Sequence, residues 1–153
     1  MSLRKPMLNL LIAVFAMLSL SGCVTSLSVD TQAQLQQLTI TTDDGRTEQL
    51  FRQEIERLIG DQSGARYDLS ASITSSRGDN SMTMTVRYSL YDQEIGEILI
   101  NKSVSSSASI GGVSSEFGEE QAFLHAEERL SINLAQKVYQ RLLLYFTRAA
   151  SSS

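Results

Sequence analysis

Met82-Thr83-Met84-Thr85-Val86-Arg87-Tyr88-Ser89-Leu90 alternates apolar and polar side chains without a break. Successive side chains of a strand point to opposite faces, so the run describes a strand with one buried face and one wet face, as in an antiparallel sheet. Two flanking runs share the pattern. Upstream, Tyr67, Leu69, Ala71 and Ile73 alternate with Asp68, Ser70 and Ser72. Downstream, Ile98 and Ile100 continue on one face, with Val104 and Ala108 later on the same parity. Residues 75–81, which contain Gly78-Asp79-Asn80, read as a hairpin loop, and Asp92 to Gly96 as the next turn. Earlier still, Leu38, Ile40 and Thr42 alternate with Thr39 and Thr41, a short first strand that ends at Asp43-Asp44-Gly45.

The periodicity changes on either side of these strands. Phe51, Ile55, Leu58 and Ile59 recur at helical spacing. With Thr47 as N-cap and Gly60 as stop, a helix is expected over 47–59. From Phe117 to Phe146 there is no proline, and no glycine after Gly118. Phe123, Ala126, Leu130, Leu134, Val138, Leu142 and Tyr145 form one apolar stripe, and Ile132, Ala135, Tyr139, Leu143 and Phe146 a second beside it. Acidic residues lie near the start of this helix and basic ones toward its end, which suits the helix dipole. The order is β-α-β-β-β-α. One fold buries all these stripes at once: an α+β two-layer sandwich, with a four-stranded, largely antiparallel sheet and two helices on one face.

The N-terminus carries an export signal. Arg4 and Lys5 precede a mostly apolar run from Met7 to Leu20, too short to span a membrane. Leu20-Ser21-Gly22-Cys23 follows, the pattern of a bacterial lipobox. Residues 1–22 are therefore expected to be removed and Cys23 to receive lipid. Cys23 is the only cysteine, so no intramolecular disulfide can form. Two or three acyl chains anchor a protein stably where one does not. Val24, rather than Asp, follows the cysteine, which resembles the address for the outer membrane, periplasmic side. Residues 23–36 read as a lipidated tether, 37–148 as the domain and 149–153 as a frayed, disordered tail.

Composition excludes several classes. Removal of Arg4 and Lys5 leaves about 11 basic against 17 acidic side chains, a poor balance for nucleic acid binding. His125 is the only histidine, flanked by helix residues, and reads as solvated. With one His and a lipidated Cys, a zinc site of the usual kind is not available. The chain has no P-loop, no G-x-S-x-G and no H-E-x-x-H. The acidic pairs Asp43-Asp44, Glu119-Glu120 and Glu127-Glu128 read as solvated faces. No enzyme, metal or cofactor is expected.

Tyr67-x-Leu69, then Val86-x-Tyr88-x-Leu90-Tyr91-Asp92 with Gly96 beyond it, then Ala126-Glu127-Glu128-Arg129-Leu130 leading to Leu134-Ala135 and Arg141-Leu142, all behind a lipobox, resemble the LptE family of lipopolysaccharide-assembly lipoproteins. The resemblance covers nearly the whole mature chain. It implies a non-enzymatic outer-membrane lipoprotein that plugs the LptD β-barrel, assists its assembly and takes part in lipopolysaccharide insertion. The family's basic residue between the second and third strands matches Arg77, whose guanidinium suits phosphate. A second family basic residue, near the start of the last helix, has no match; Glu116, Glu119 and Glu120 stand there. Arg87 and Lys102 are the next ligand candidates. The alternative is an accessory lipoprotein that docks onto or activates another periplasmic complex, a cell-wall synthase or a lipid transporter.

Overall fold

The third strand shows what the alternation does in three dimensions. In the computed structural model, which describes residues 29–111 and 115–151, Met82, Met84, Val86, Tyr88, Leu90 and Asp92 are all buried, and their neighbours are not. This strand, β3 (Ser81–Asp92), pairs antiparallel with β2 (Tyr67–Gly78) and with β4 (Glu97–Ser109). β1 (Leu38–Thr42) lies outside β2 and runs parallel to it, so the sheet order is β1-β2-β3-β4 and the sheet is mixed. The parallel pair follows from the helix between the two strands, which returns the chain to the end from which β1 began.

Three helices accompany the sheet. α1 is Val29–Leu35, α2 is Arg46–Ile59 and α3 is Glu116–Ser151. α2 lies over β1 and β2, and α3 over β3 and β4, on the same face. The two pack along each other, and Phe51, Ile55 and Ile59 of α2 meet the stripe Leu130, Leu134, Val138 and Leu142 of α3 in one core. Leu134, Val138 and Leu142 are fully buried. Phe146 rather than Tyr145 completes the stripe, and its ring lies 5.0 Å from that of Tyr67.

Several boundaries differ from the sequence reading. Residues 29–35, taken as tether, form α1, whose Thr31 and Leu35 are buried where it packs on α3. Only this one i,i+4 pair faces inward, too little apolar repetition to stand out. α2 begins at Arg46 with Gly45 as N-cap in extended conformation, so Thr47 lies inside the helix and caps nothing. The supposed 75–81 loop is strand: β2 runs to Gly78 and β3 starts at Ser81, leaving a two-residue turn. Cross-strand pairing carries these polar residues where their composition suggested a loop. The C-terminal helix continues through Ser151, into the expected tail. The signal segment, Cys23, Val24 and the tether as far as residue 28 lie outside the described residues.

Gly60 and Gly96 take positive φ, 80° and 75°, and end α2 and shape the β3–β4 turn respectively. A β-bulge follows that turn. Leu90 pairs with Ile100 but Tyr91 with Ile98, so Leu99 is the extra residue. The bulge overturns the expected parity: Ile100 faces the core, while Ile98 is 61% exposed. Asp92 holds the turn. Its buried carboxylate accepts from the backbone N–H of Glu94 at 2.9 Å and of Ile95 at 3.4 Å, and from Arg66 Nη2 at 3.0 Å.

The Arg66 guanidinium beside Asp92, helped by the two backbone donors, holds this carboxyl below the ordinary carboxylate range. A depressed acid stabilises the fold above its unfolded pKa, and that contribution is lost as pH falls through the folded value. Asp92→Ala should therefore lower the melting temperature clearly at pH 7. The gap from wild type should narrow steadily as thermal scans move below the ordinary carboxylate range.

Candidate functional site

The three candidate cations lie in three separate places. Arg77 is near the end of β2 on the helix-facing parity, beyond the point where the core runs out. Its guanidinium carbon stands 4.7 Å from the centroid of Phe123 on α3. It donates to Glu120 at 3.2 Å, and Glu127 lies 3.9 Å away. Asp79 and Glu119 line the same shallow hollow. A phosphate arriving here would meet carboxylates as well as the one guanidinium, and would have to displace Glu120. The sequence does not show this, because Glu119, Glu120 and Glu127 come from α3, Glu120 lying 43 residues further along the chain.

Arg87 is at the centre of the opposite, outer face of the sheet, between Ser72 of β2 and Ser103 of β4. None of the described elements covers this face. Thr83 and Thr85 of β3 meet Ser107 and Ser105 of β4 through hydroxyl hydrogen bonds of 2.9 and 2.8 Å. Such cross-strand pairs stiffen a sheet and hold its polar groups in a fixed lattice. Ser70, Ser72, Ser89 and Ser103 complete a broad hydroxyl-rich surface around Arg87, with Asp68 on the same face.

β4 is an edge strand of 13 residues, a length that invites unwanted pairing. α3 blunts it. Lys137 Nζ donates to the Ser105 carbonyl at 3.2 Å, and Arg141 Nη1 to the Ser103 carbonyl at 3.3 Å. Lys102 stands on the helix side of the same strand, at the rim of a groove between β4 and α3 that Arg141 and Arg148 also line.

His125 is exposed on α3, away from all three places. Among the described residues no group of three or more His, Cys, Asp or Glu is placed to hold a metal ion. No described helix is long and apolar enough to cross a membrane.

A family model described as lipopolysaccharide-assembly, LptE, matches residues 35–142. Those bounds enclose the sheet, α2 and most of α3. Solved structures share the fold. A lipoprotein from Caulobacter crescentus superposes with a TM-score of 0.64 at 19% identity, covering 76% of this chain and 96% of that one. A minor lipoprotein from Acinetobacter baumannii gives 0.57 at 15% identity, covering 72% and 94%. A hypothetical protein from Chlamydia trachomatis gives 0.53 at 11%, covering 72% and 96%. No curated protein is detectably similar in sequence.

The Arg77–Glu120 pair is exposed on both sides, so it should stabilise little. A double-mutant cycle with Arg77→Ala and Glu120→Ala should return a coupling of about 1 kcal/mol or less in urea unfolding.

Proposed function

This chain belongs to the LptE lipopolysaccharide-assembly family, and we propose that it works as a lipid-anchored, non-catalytic plug and assembly partner of an LptD-type outer-membrane β-barrel. Lipid on Cys23 would hold it at the inner surface of the outer membrane, where lipopolysaccharide is the cargo of the assembled pair. The observation that carries the reading is the bare outer face of the sheet. A surface of fixed Ser and Thr hydroxyls around Arg87 matches the polar interior of a large barrel, where a hydrogen-bonding wall is needed and an apolar one would be a liability. The domain's own apolar stripes are already spent in the core between sheet and helices.

Arg77 can engage a lipopolysaccharide phosphate in this reading by exchanging Glu120 for it, a swap between two charge-assisted partners of similar strength. Arg87 serves the barrel contact.

Tagged full-length protein, solubilised in mild detergent, should bring down a large outer-membrane barrel. Arg87→Glu should reduce the recovered barrel severalfold with an unchanged melting temperature. Elution alone, or together with a cell-wall synthase or a lipid transporter, contradicts the proposal and favours the accessory-lipoprotein alternative.

A further inference from the structure

Six large apolar side chains stand well exposed among the described residues, and three of them belong to the β3–β4 turn. Tyr91 is the last outward-facing residue of β3, Ile98 stands opposite it on β4, and Ile95 sits in the turn between them. They are 39%, 61% and 56% exposed. The other three, Val29, Phe117 and Leu144, are scattered over α1 and α3. A Cβ built on Gly96 would lie 3.7 Å from the Tyr91 hydroxyl, so the ring extends along the turn toward its tip. Single exposed apolar residues are ordinary, whereas a group of them on one turn marks a contact surface.

The turn is held, not loose. Asp92 accepts from the backbone N–H groups of Glu94 and Ile95. The Gly96 N–H donates to the Asp92 carbonyl, and the Gln93 N–H to the Arg66 carbonyl, both at 2.9 Å. The three side chains are therefore presented outward by fixed backbone, and covering them costs little ordering entropy.

Their place in the fold points to the occupant. Leu38 pairs with Tyr67 and Tyr67 with Asp92, so the chain enters the sheet at the same end as this turn. Leu38 and Asp92 are two strands apart, about 10 Å. Cys23 stands six residues before Val29, where α1 begins, and a stretch of that length reaches at most ~20 Å. A bilayer that holds lipid on Cys23 is thus close to this end of the sheet. The β2–β3 hairpin lies a full strand away, ~40 Å for a strand of twelve residues.

Polarity agrees. Thr83, Thr85, Arg87 and Ser89 face outward along β3, and apolar residues appear on that line only at Tyr91, beside the chain's entry. A polar wall suits the first four and not the last. A tyrosine ring with its hydroxyl is suited to the headgroup level of a membrane. Glu94 and Glu97 flank the cluster, and Glu94 is paired with Arg66 at 2.8 Å. These carboxylates disfavour an anionic surface and leave a zwitterionic one acceptable.

We propose that the β3–β4 turn is a second membrane contact of the anchored chain, with Tyr91, Ile95 and Ile98 entering the headgroup region of a zwitterionic phospholipid bilayer. The inference rests on the lipid anchor at Cys23 proposed above. A single small apolar turn binds a membrane weakly, and the anchor makes the contact effective by keeping the turn at the surface. The two contacts together fix the domain's orientation, with the Arg77 end of the sheet directed away from the bilayer.

Fluorescence of the full lipidated chain in phosphatidylcholine–phosphatidylethanolamine vesicles tests this. The chain has no tryptophan, so an introduced one reports its own surroundings. Ile95→Trp and Ile98→Trp should each shift emission to the blue on reconstitution and be quenched severalfold by brominated phosphatidylcholine. Asp79→Trp, at the opposite end of the sheet, should show neither change. Adding Ile95→Asp to Ile98→Trp should reduce the quenching severalfold, which excludes an indole that inserts on its own account. All four positions are exposed or in the turn, and melting temperatures should match the wild type. A chain that sediments with vesicles while its Ile95→Trp and Ile98→Trp indoles stay unquenched overturns this proposal and leaves the anchor standing. A chain that does not sediment with vesicles overturns the anchor and this proposal with it. Quenching as strong from Asp79→Trp, quenching that appears only with anionic phospholipid, or a blue shift that appears only when the barrel is added would each overturn the membrane contact as well.

Discussion

A four-stranded sheet has two faces, and this chain carries apolar surface for one of them. Every second residue of β3 from Met82 to Asp92 is buried on the face that α3 covers. A slip of one residue in pairing would exchange the two faces entirely, placing Thr83, Thr85 and Arg87 against Leu134 and Val138. Register, helix placement and the location of the core all follow from that one-sided burial. So does the bare outer face. A sheet with both sides apolar would need a second helical layer; this one needs only water or a polar partner.

The charges divide along the same lines. Acidic side chains from α3 gather at the hairpin end and neutralise Arg77, whereas basic ones gather where α3 passes the edge of β4. Lys137 and Arg141 thereby protect edge carbonyls that would otherwise recruit a strange strand, and they leave an electropositive groove behind them. The bulge at Leu99 connects these features. It turns Ile98 outward, adds Leu99 to the groove wall, and sits beside the turn that Asp92 and Arg66 lock. The helix thus sorts its charges along its length, acidic at the hairpin end and basic beside β4.

Much of this was legible in the residues themselves. Period-2 runs located β2, β3 and β4, period-3.6 runs located α2 and α3, and Gly60 marked the end of α2. Elements with weak repetition were not legible. α1 buries only Thr31 and Leu35, and the Ser- and Thr-rich ends of β2 and β4 are strands because their partners are strands. The bulge could not be read either, since a single extra residue leaves no trace in composition. Of the site, Arg77, Arg87 and Lys102 were visible as isolated cations, but their surroundings were not. Glu120 reaches Arg77 from another layer. Long-range pairing decides such features, and one-dimensional pattern does not carry it.

On the proposed reading, the outer face of the sheet is where the barrel sits. Photocrosslinking in cells addresses it directly. A photoreactive residue placed at Ser72 or Ser103, which flank Arg87 on the outer face, should give a covalent adduct with the large barrel. The same residue at Gln53, exposed on the outside of α2, should give a weaker one. Adducts from Gln53 but not from Ser72 or Ser103 would contradict the account, because the helical layer and not the hydroxyl face would then line the partner.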